Sequence, residues 1–254
     1  MHRRLATLLA CLILSPLAQA EVLTIDRLFE APDLRGTTLK SVRFSPDGRL
    51  VSYLRGRADD QDVFDLWAYD IARREHRLLA ESRSLVPVER ALSAEEEARR
   101  ERARIASARG IVEYAWAPDS GALLFPLNGD LYWYDLRQPA RRAVRQLTDT
   151  VAYETDPRIS PRGRFVSFVR DQDLFVLELA TGRERALTDD GEGLVSNGVA
   201  EFIAQEEMDR RTGYWWSPDE SRIAFACVDE SGVEEQQRFE IGRASCRERV
   251  LDHV

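Results

Sequence analysis

Lysine is almost missing from this chain: Lys40 is the only one, and arginine supplies the rest of the 36 basic residues. Against 44 acidic residues the formal net charge is -8, which disfavours a nucleic-acid partner. Histidine is scarce as well, at three. Only His76 lies in the body of the chain, in the polar turn ARREHRLL, where it reads as an exposed polar residue. Of the three cysteines, Cys11 falls in an N-terminal leader and Cys246 in an anomalous tail. Cys227 is left without a disulfide partner, and no CxxC or His/Cys cluster with zinc spacing is present. No metal and no cofactor is expected. Gly-x-Ser-x-Gly and Ser-x-x-Lys are both missing, so the chain carries no recognisable serine nucleophile and no partner histidine for one. No apolar run is long enough to span a membrane.

The two ends differ from the body. His2-Arg3-Arg4, the apolar stretch Leu5 to Leu14 and Ala18-Gln19-Ala20 have the form of a cleaved secretory signal over residues 1–20, with the mature chain starting near Glu21. A lipoprotein reading at Cys11 would leave a very short apolar core. The expected location is exported, periplasmic or secreted. At the other end, residues 240–250, EIGRASCRERV, match the translation of a DNA string that resembles a common sequencing adapter. Residues 240–254 are therefore read as a non-native tail on a truncated gene product, and only 21–239 enter the fold argument.

Within that body one phrase recurs: VRFSPDGRLVSYLRG (42–56), YAWAPDSGALLFPLNG (114–129), PRISPRGRFVSFVRD (157–171) and YWWSPDESRIAFACVD (214–229). Each has a short apolar strand, a Ser/Ala-Pro turn with an acidic or glycine element, and a second alternating strand. Proline fixes φ in such a turn, and Asp or Gly relieves the strain at the next positions. Third strands come next in DLWAYDIA, DLYWYDLR and DLFVLELA, and fourth strands in REHRLLAE, RAVRQLTD and RERALTDD. Four short antiparallel strands per unit is the pattern of a β-propeller blade. The turn prolines, Pro46, Pro118, Pro161 and Pro218, stand 72, 43 and 57 residues apart; a blade takes about 40–45, and the longer gaps hold insertions. The expected fold is all-β, a partial propeller of about four blades with a helical arm. An open array leaves strand edges unpaired, which marks the chain as part of a larger propeller.

The first insertion, about 92–109, predicts a helix with Ser93 as N-cap and Glu96 three residues on, acidic early and basic late. Its apolar residues are mainly alanines, so it is expected on the surface or reaching away from the propeller. The second insertion carries a glutamate segment, about 199–211, in which Glu206 and Glu207 are adjacent. Two readings apply. Val199, Phe202, Ile203 and Met208 could bury one face of a short helix with the carboxylates merely solvated, or the pair could receive a cation.

Gln205-Glu206-Glu207-Met208 followed by Tyr214-Trp215-Trp216-Ser217-Pro218-Asp219, together with the SPDG repeats and the arm after Arg90, resembles the dipeptidyl peptidase IV family. These are exported serine peptidases of the prolyl oligopeptidase clan. The resemblance spans about residues 22–239. It implies an N-terminal propeller, usually of eight blades, joined to a C-terminal α/β-hydrolase domain, here lacking, that holds the catalytic triad. It also implies release of Xaa-Pro or Xaa-Ala dipeptides from free peptide N-termini and, in the intact enzyme, a possible homodimer. Glu206 and Glu207 would grip the substrate's terminal ammonium, and an arginine of the arm, Arg104 or alternatively Arg109, would hold its first carbonyl. The chain alone should then be catalytically inactive. The other class of function compatible with the repeats is a noncatalytic TolB-like periplasmic binding propeller.

Overall fold

The computed structural model describes residues 23–30, 34, 36–234, 238–239 and 250–251. The signal expected over 1–20 and most of the tail expected over 240–254 lie outside the described residues. The chain forms two units, residues 1–36 and 37–254. In the first, Ile25–Phe29 forms a short helix whose N-cap, Thr24, accepts from the Arg27 N–H at 3.1 Å.

The second unit is built of successive antiparallel sheets, and the all-β fold class is observed. The first sheet runs β1 (Leu39–Phe44), β2 (Leu50–Gly56), β3 (Val63–Asp70) and β4 (Glu75–Ala80), with β5 (Arg109–Gly110) parallel to the start of β3. The second runs β6 (Ala115–Trp116), β7 (Ala122–Leu127), β8 (Asp130–Asp135) and β9 (Val144–Gln146). The third runs β10 (Thr155–Ile159), β11 (Phe165–Arg170), β12 (Asp173–Glu178) and β13 (Glu184–Ala186). In the fourth, β14 (Val195–Asn197) pairs β17 (Cys227–Asp229), and β15 (Tyr214–Trp216) pairs β16 (Ile223–Phe225).

Strand alternation explains how the blades stack. Successive side chains of β7 point to opposite faces, so Leu123 and Phe125 join Leu54, Phe64 and Leu66 of the first blade, while Leu124 joins Val166 and Phe168 of the third. Both faces are covered, which is why β7 reads as a continuous apolar run rather than an alternating one. Each fully buried side chain of this size contributes about 1.5–3 kcal/mol. A smaller cluster, Val169, Leu174 and Tyr214, joins the third blade to the fourth.

The four repeats resolve into two kinds. All four turns close with a hydrogen bond from the residue two after proline to the residue before it, at 2.9–3.0 Å. That residue has positive φ in every case: Gly48 and Gly163 in the odd blades, Ser120 and Glu220 in the even ones. A left-handed non-glycine residue is strained, and here the side chains tie the even blade to the odd one before it. The Asp47 N–H donates to Ser120 Oγ at 2.9 Å, and the Arg162 N–H and Ser160 hydroxyl both donate to Glu220 Oε1 at 2.6 Å.

The aromatic residues before the even turns do the same. Tyr114 donates to the Ser41 carbonyl, and the Trp116 indole to Ser52 Oγ at 2.8 Å. Tyr214 donates to the Asp156 carbonyl at 2.6 Å, and the Trp216 indole to Ser167 Oγ at 2.8 Å. Ser41 and Asp156 occupy the same place, five residues before proline, and each sits with positive φ at a register shift in its blade's first strand. Tyr-x-Trp in an even blade therefore closes over the β-bulge of the odd blade, fixing the blades in pairs.

Candidate functional site

The glutamate segment grows from that same bulge position. In the fourth blade the residue five before proline is Gly213, and here the first strand opens into an excursion over residues 198–213. β14 and β15 lie in line against β17 and β16, separated on that partner by Ala226 alone. Ala226 ties both ends of the excursion: its carbonyl accepts from the Gly198 N–H at 2.8 Å, and its N–H donates to the Gly213 carbonyl at 2.7 Å. Only glycine fits at Gly213, because a Cβ there would stand 2.4 Å from the Val199 carbonyl carbon and oxygen. An isolated bridge, Val199 to Thr212, continues the neck, and Thr212 donates to Asp156 Oδ2 at 2.6 Å.

Beyond the neck the chain makes the helix Phe202–Glu206. Glu201 caps it, accepting from the Ala204 N–H at 2.8 Å, and Arg210 returns to bond the Ala204 carbonyl with its N–H at 2.8 Å. Ala204 is the residue buried against the body of the protein. Phe202 and Ile203 are 46% and 58% exposed, and Met208 is exposed too. The apolar face suggested by the sequence is therefore not what holds this helix.

Glu206 is the last helical residue and Glu207 its C-cap, both exposed. Carboxylates at a helix C-terminus oppose the local dipole, so the placement is electrostatically unfavourable without a cation nearby. The structure supplies one from the arm: Arg102 Nε lies 3.8 Å from Glu206 Oε1, Arg102 Nη1 lies 3.5 Å from Gln205 Oε1, and the guanidinium sits 5.6 Å from the Phe202 ring centroid.

The arm is not the solvated element expected from its alanines. It forms a helix, Ala94–Arg102, capped by Ser93 Oγ accepting from the Glu96 N–H at 3.2 Å. Glu96 and Arg100 are buried, at 4% and 7% exposure, and Ile105 and Ala108 pack into the cluster between the first two blades. Where the arm begins, Arg90 donates to the carbonyls of Thr150, Val151 and Ala152, and the Tyr153 hydroxyl donates to the Ala91 carbonyl at 2.8 Å. Buried charge therefore docks this insertion together with Ile105 and Ala108, and a hydrophobicity pattern does not register the charged part.

Arg104, the arginine expected at the substrate's first carbonyl, ends the arm helix. It is exposed, has φ of 56°, and makes no side-chain hydrogen bond or ion pair among the described residues. Its N–H donates to the Glu101 carbonyl and the Ile105 N–H to the Arg100 carbonyl, both at 2.9 Å. That is a Schellman motif with arginine in the place glycine usually takes. Arg109 is paired with Asp60 at 2.6 Å on the first blade. Of the arm's arginines, Arg102 is the one brought to the glutamates. His76 lies away from this site, its Nδ1 2.6 Å from the Tyr53 hydroxyl.

A cavity of about 480 Å³ opens beside the neck, lined by Arg43, Glu113, Asp156, Arg158, Tyr214 and Trp215 among others, but by neither Glu206 nor Glu207. Burial pushes the Asp156 carboxyl above its usual range against the opposing pull of Arg158 and Thr212. Among the described residues no group of His, Cys, Asp and Glu side chains is arranged to hold a metal ion, and no helix is long and apolar enough to cross a membrane.

Fold and site together define a class: a partial β-propeller whose fourth blade bears an inserted helix ending in paired carboxylates. The family model for the dipeptidyl peptidase IV N-terminal region matches residues 112–251, and the chain belongs to the dipeptidyl peptidase IV family. Dipeptidyl peptidase 8 of Mus musculus is 34% identical over 166 residues, which is 56% of this chain and 18% of that protein. A protein named "Probable dipeptidyl peptidase 4" in Aspergillus flavus is 25% identical over 240 residues, 87% of this chain and 29% of its own length. The crystal structure of Porphyromonas gingivalis dipeptidyl peptidase 4 shares the fold, with a TM-score of 0.58 at 22% identity over 84% of this chain and 28% of that one. The chain thus spans less than a third of the length of these relatives.

Proposed function

We propose that this chain is the substrate-selecting propeller portion of an exported serine peptidase that releases Xaa-Pro or Xaa-Ala dipeptides, and that Glu206 and Glu207 bind the free N-terminal ammonium of the peptide. The observation that carries this reading is the pair itself. Two exposed carboxylates stand at the negative end of a helix that grows from a conformationally fixed neck. An ammonium offers three N–H donors and one positive charge, so two carboxylates can bracket it with charge-assisted bonds of about 1.5–3 kcal/mol each. It also relieves the unfavourable placement at the helix end. An acylated N-terminus brings no charge and forgoes these bonds, so it binds more weakly.

Arg104, exposed and without a side-chain partner among the described residues, or alternatively Arg109, takes the first carbonyl of the bound peptide, while Arg102 approaches Glu206 itself. The catalytic serine, aspartate and histidine belong to a hydrolase domain of the same polypeptide. Family membership supports this reading over a TolB-like binding propeller, which has no evident use for an ammonium site.

The test uses the open reading frame containing this chain, expressed at its genomic length, with Ala-Pro p-nitroanilide as substrate. Glu206→Gln and Glu207→Gln should each raise KM at least tenfold without changing the unfolding midpoint, and the N-acetylated substrate should not be turned over. Wild-type kinetics in both variants would remove the ammonium site from consideration.

A further inference from the structure

We propose that Glu96 is a positioning residue for the site just described, an inference that rests on that reading: its buried carboxylate holds the arm helix where Arg102 meets the glutamate helix. Glu96, Arg99 and Arg100 are spaced i, i+3 and i+4 and share one helix face. The carboxylate accepts from Arg99 Nε at 2.6 Å, Arg99 Nη2 at 2.9 Å and Arg100 Nε at 2.6 Å. Each arginine then reaches beyond the helix. Arg99 Nη2 lies 3.1 Å from Glu113, just ahead of β6, and Arg100 Nη1 donates to the Ala108 carbonyl at 2.8 Å. Two negative and two positive charges balance, with Glu96 joining both arginines.

Such a cluster does what apolar packing does elsewhere in the fold. A nine-residue helix does not persist unaided in water, so this one takes its position from its contacts. The Ser93-x-x-Glu96 signature would ordinarily turn the glutamate back to the N-cap N–H. Here no such bond exists among the described residues, and the carboxylate is committed to the two arginines instead. Six residues on, about 240° round the helix, Arg102 emerges on a different face toward Gln205 and Glu206. Among the described residues Glu96 makes no hydrogen bond or ion pair with Gln205 or Glu206, so its influence on them passes through the helix.

Hydrogen exchange on the full 254-residue chain tests this without substrate. In Glu96→Gln the amides of 97–105 and of 204–207 should exchange at least tenfold faster, while those of β7, β8, β11 and β12 keep their protection. Unchanged exchange at 204–207, or equal loosening of the sheets, would overturn the proposal; the latter would make Glu96 a general stabiliser of the fold. Arg102→Gln leaves the buried cluster intact, so a folding defect in the first variant does not block the test. It should loosen 204–207 and leave 97–105 unchanged, and no effect at 204–207 would equally overturn the proposal. In the peptidase, Glu96→Gln should raise KM for the free-amine substrate at least tenfold with kcat retained, and an unchanged KM would count against it. The ammonium reading fails separately, through Glu206→Gln and Glu207→Gln, so the two failures are distinguishable.

Discussion

Substituting Gly213 by alanine moves the glutamate pair without removing either carboxylate. An added Cβ would meet the Val199 carbonyl carbon and oxygen at 2.4 Å and the Gly198 carbonyl carbon at 2.6 Å, where ordinary contact is 3.4–4 Å. These are backbone atoms and cannot rotate aside, so the two ends of the excursion must part by roughly 1 Å, as in an overpacked core. Overpacking of that kind costs about 1–3 kcal/mol. Parting the ends also strains the two bonds that Ala226 makes to Gly198 and Gly213, and losing one adds about 1 kcal/mol. The expected total is about 2–4 kcal/mol, read as a shift in the urea unfolding midpoint.

The matched control is Gly232→Ala, where nothing lies within 4 Å of the added atom and φ is outside the left-handed region. Alanine there should be neutral or stabilise by up to about 1 kcal/mol through the unfolded state. If the neck fixes the site, Gly213→Ala in the peptidase also raises KM for free-amine substrates while Gly232→Ala does not. A Gly213→Ala variant within about 0.5 kcal/mol of wild type, with unchanged KM, would refute the argument that the neck holds the pair.

Tyr214→Phe should destabilise the chain by about 1–3 kcal/mol in thermal unfolding, because buried carbonyls lose their donor; the hydroxyl now lies 2.6 Å from the Asp156 carbonyl and 3.0 Å from that of Ser167. A cost below about 0.5 kcal/mol would show that the tyrosine does not staple the third and fourth blades. Arg104→Gly should stabilise by about 0.5–1 kcal/mol, since glycine adopts the left-handed C′ position freely. If Arg104 holds the first carbonyl of the substrate, the same variant raises KM in the peptidase, and an unchanged KM would remove Arg104 from the substrate site.

Most of the fold is legible in the sequence because its signals are local. Proline fixes the turns at 46, 118, 161 and 218, and the strands around them alternate or run apolar according to how many faces are covered. The pairing of blades is in the same letters. YAWAPDS and YWWSPDE are of one kind, VRFSPDG and PRISPRG of the other, with Ser52 and Ser167 supplied only by the odd blades. Read as a single repeat, the four phrases hide the Tyr-x-Trp closure, because the tyrosine's partner is a bulge carbonyl and a bulge has no residue signature beyond tolerance of positive φ.

The arm shows where local reading stops. Ser93 is the N-cap, as its spacing to Glu96 predicts, yet the same spacing predicts the wrong destination for the Glu96 carboxylate, because capping competes with a tertiary partner that the local sequence does not reveal. The choice among arginines turns on the same point. Two residues along a helix is about 200° of rotation, so Arg102 and Arg104 could not face the same way even if the helix continued. It does not continue: the backbone turns left-handed at Arg104, in a position where glycine would mark the helix end and arginine conceals it. Without that mark the sequence reads as helix through to about residue 109, and the arginine next to the glutamates cannot be told from its neighbours. The rotation that brings Arg102 to Glu206 is set by Glu96 and Arg100 being buried on the far side, so the site's geometry is encoded in the charges least expected to be inside.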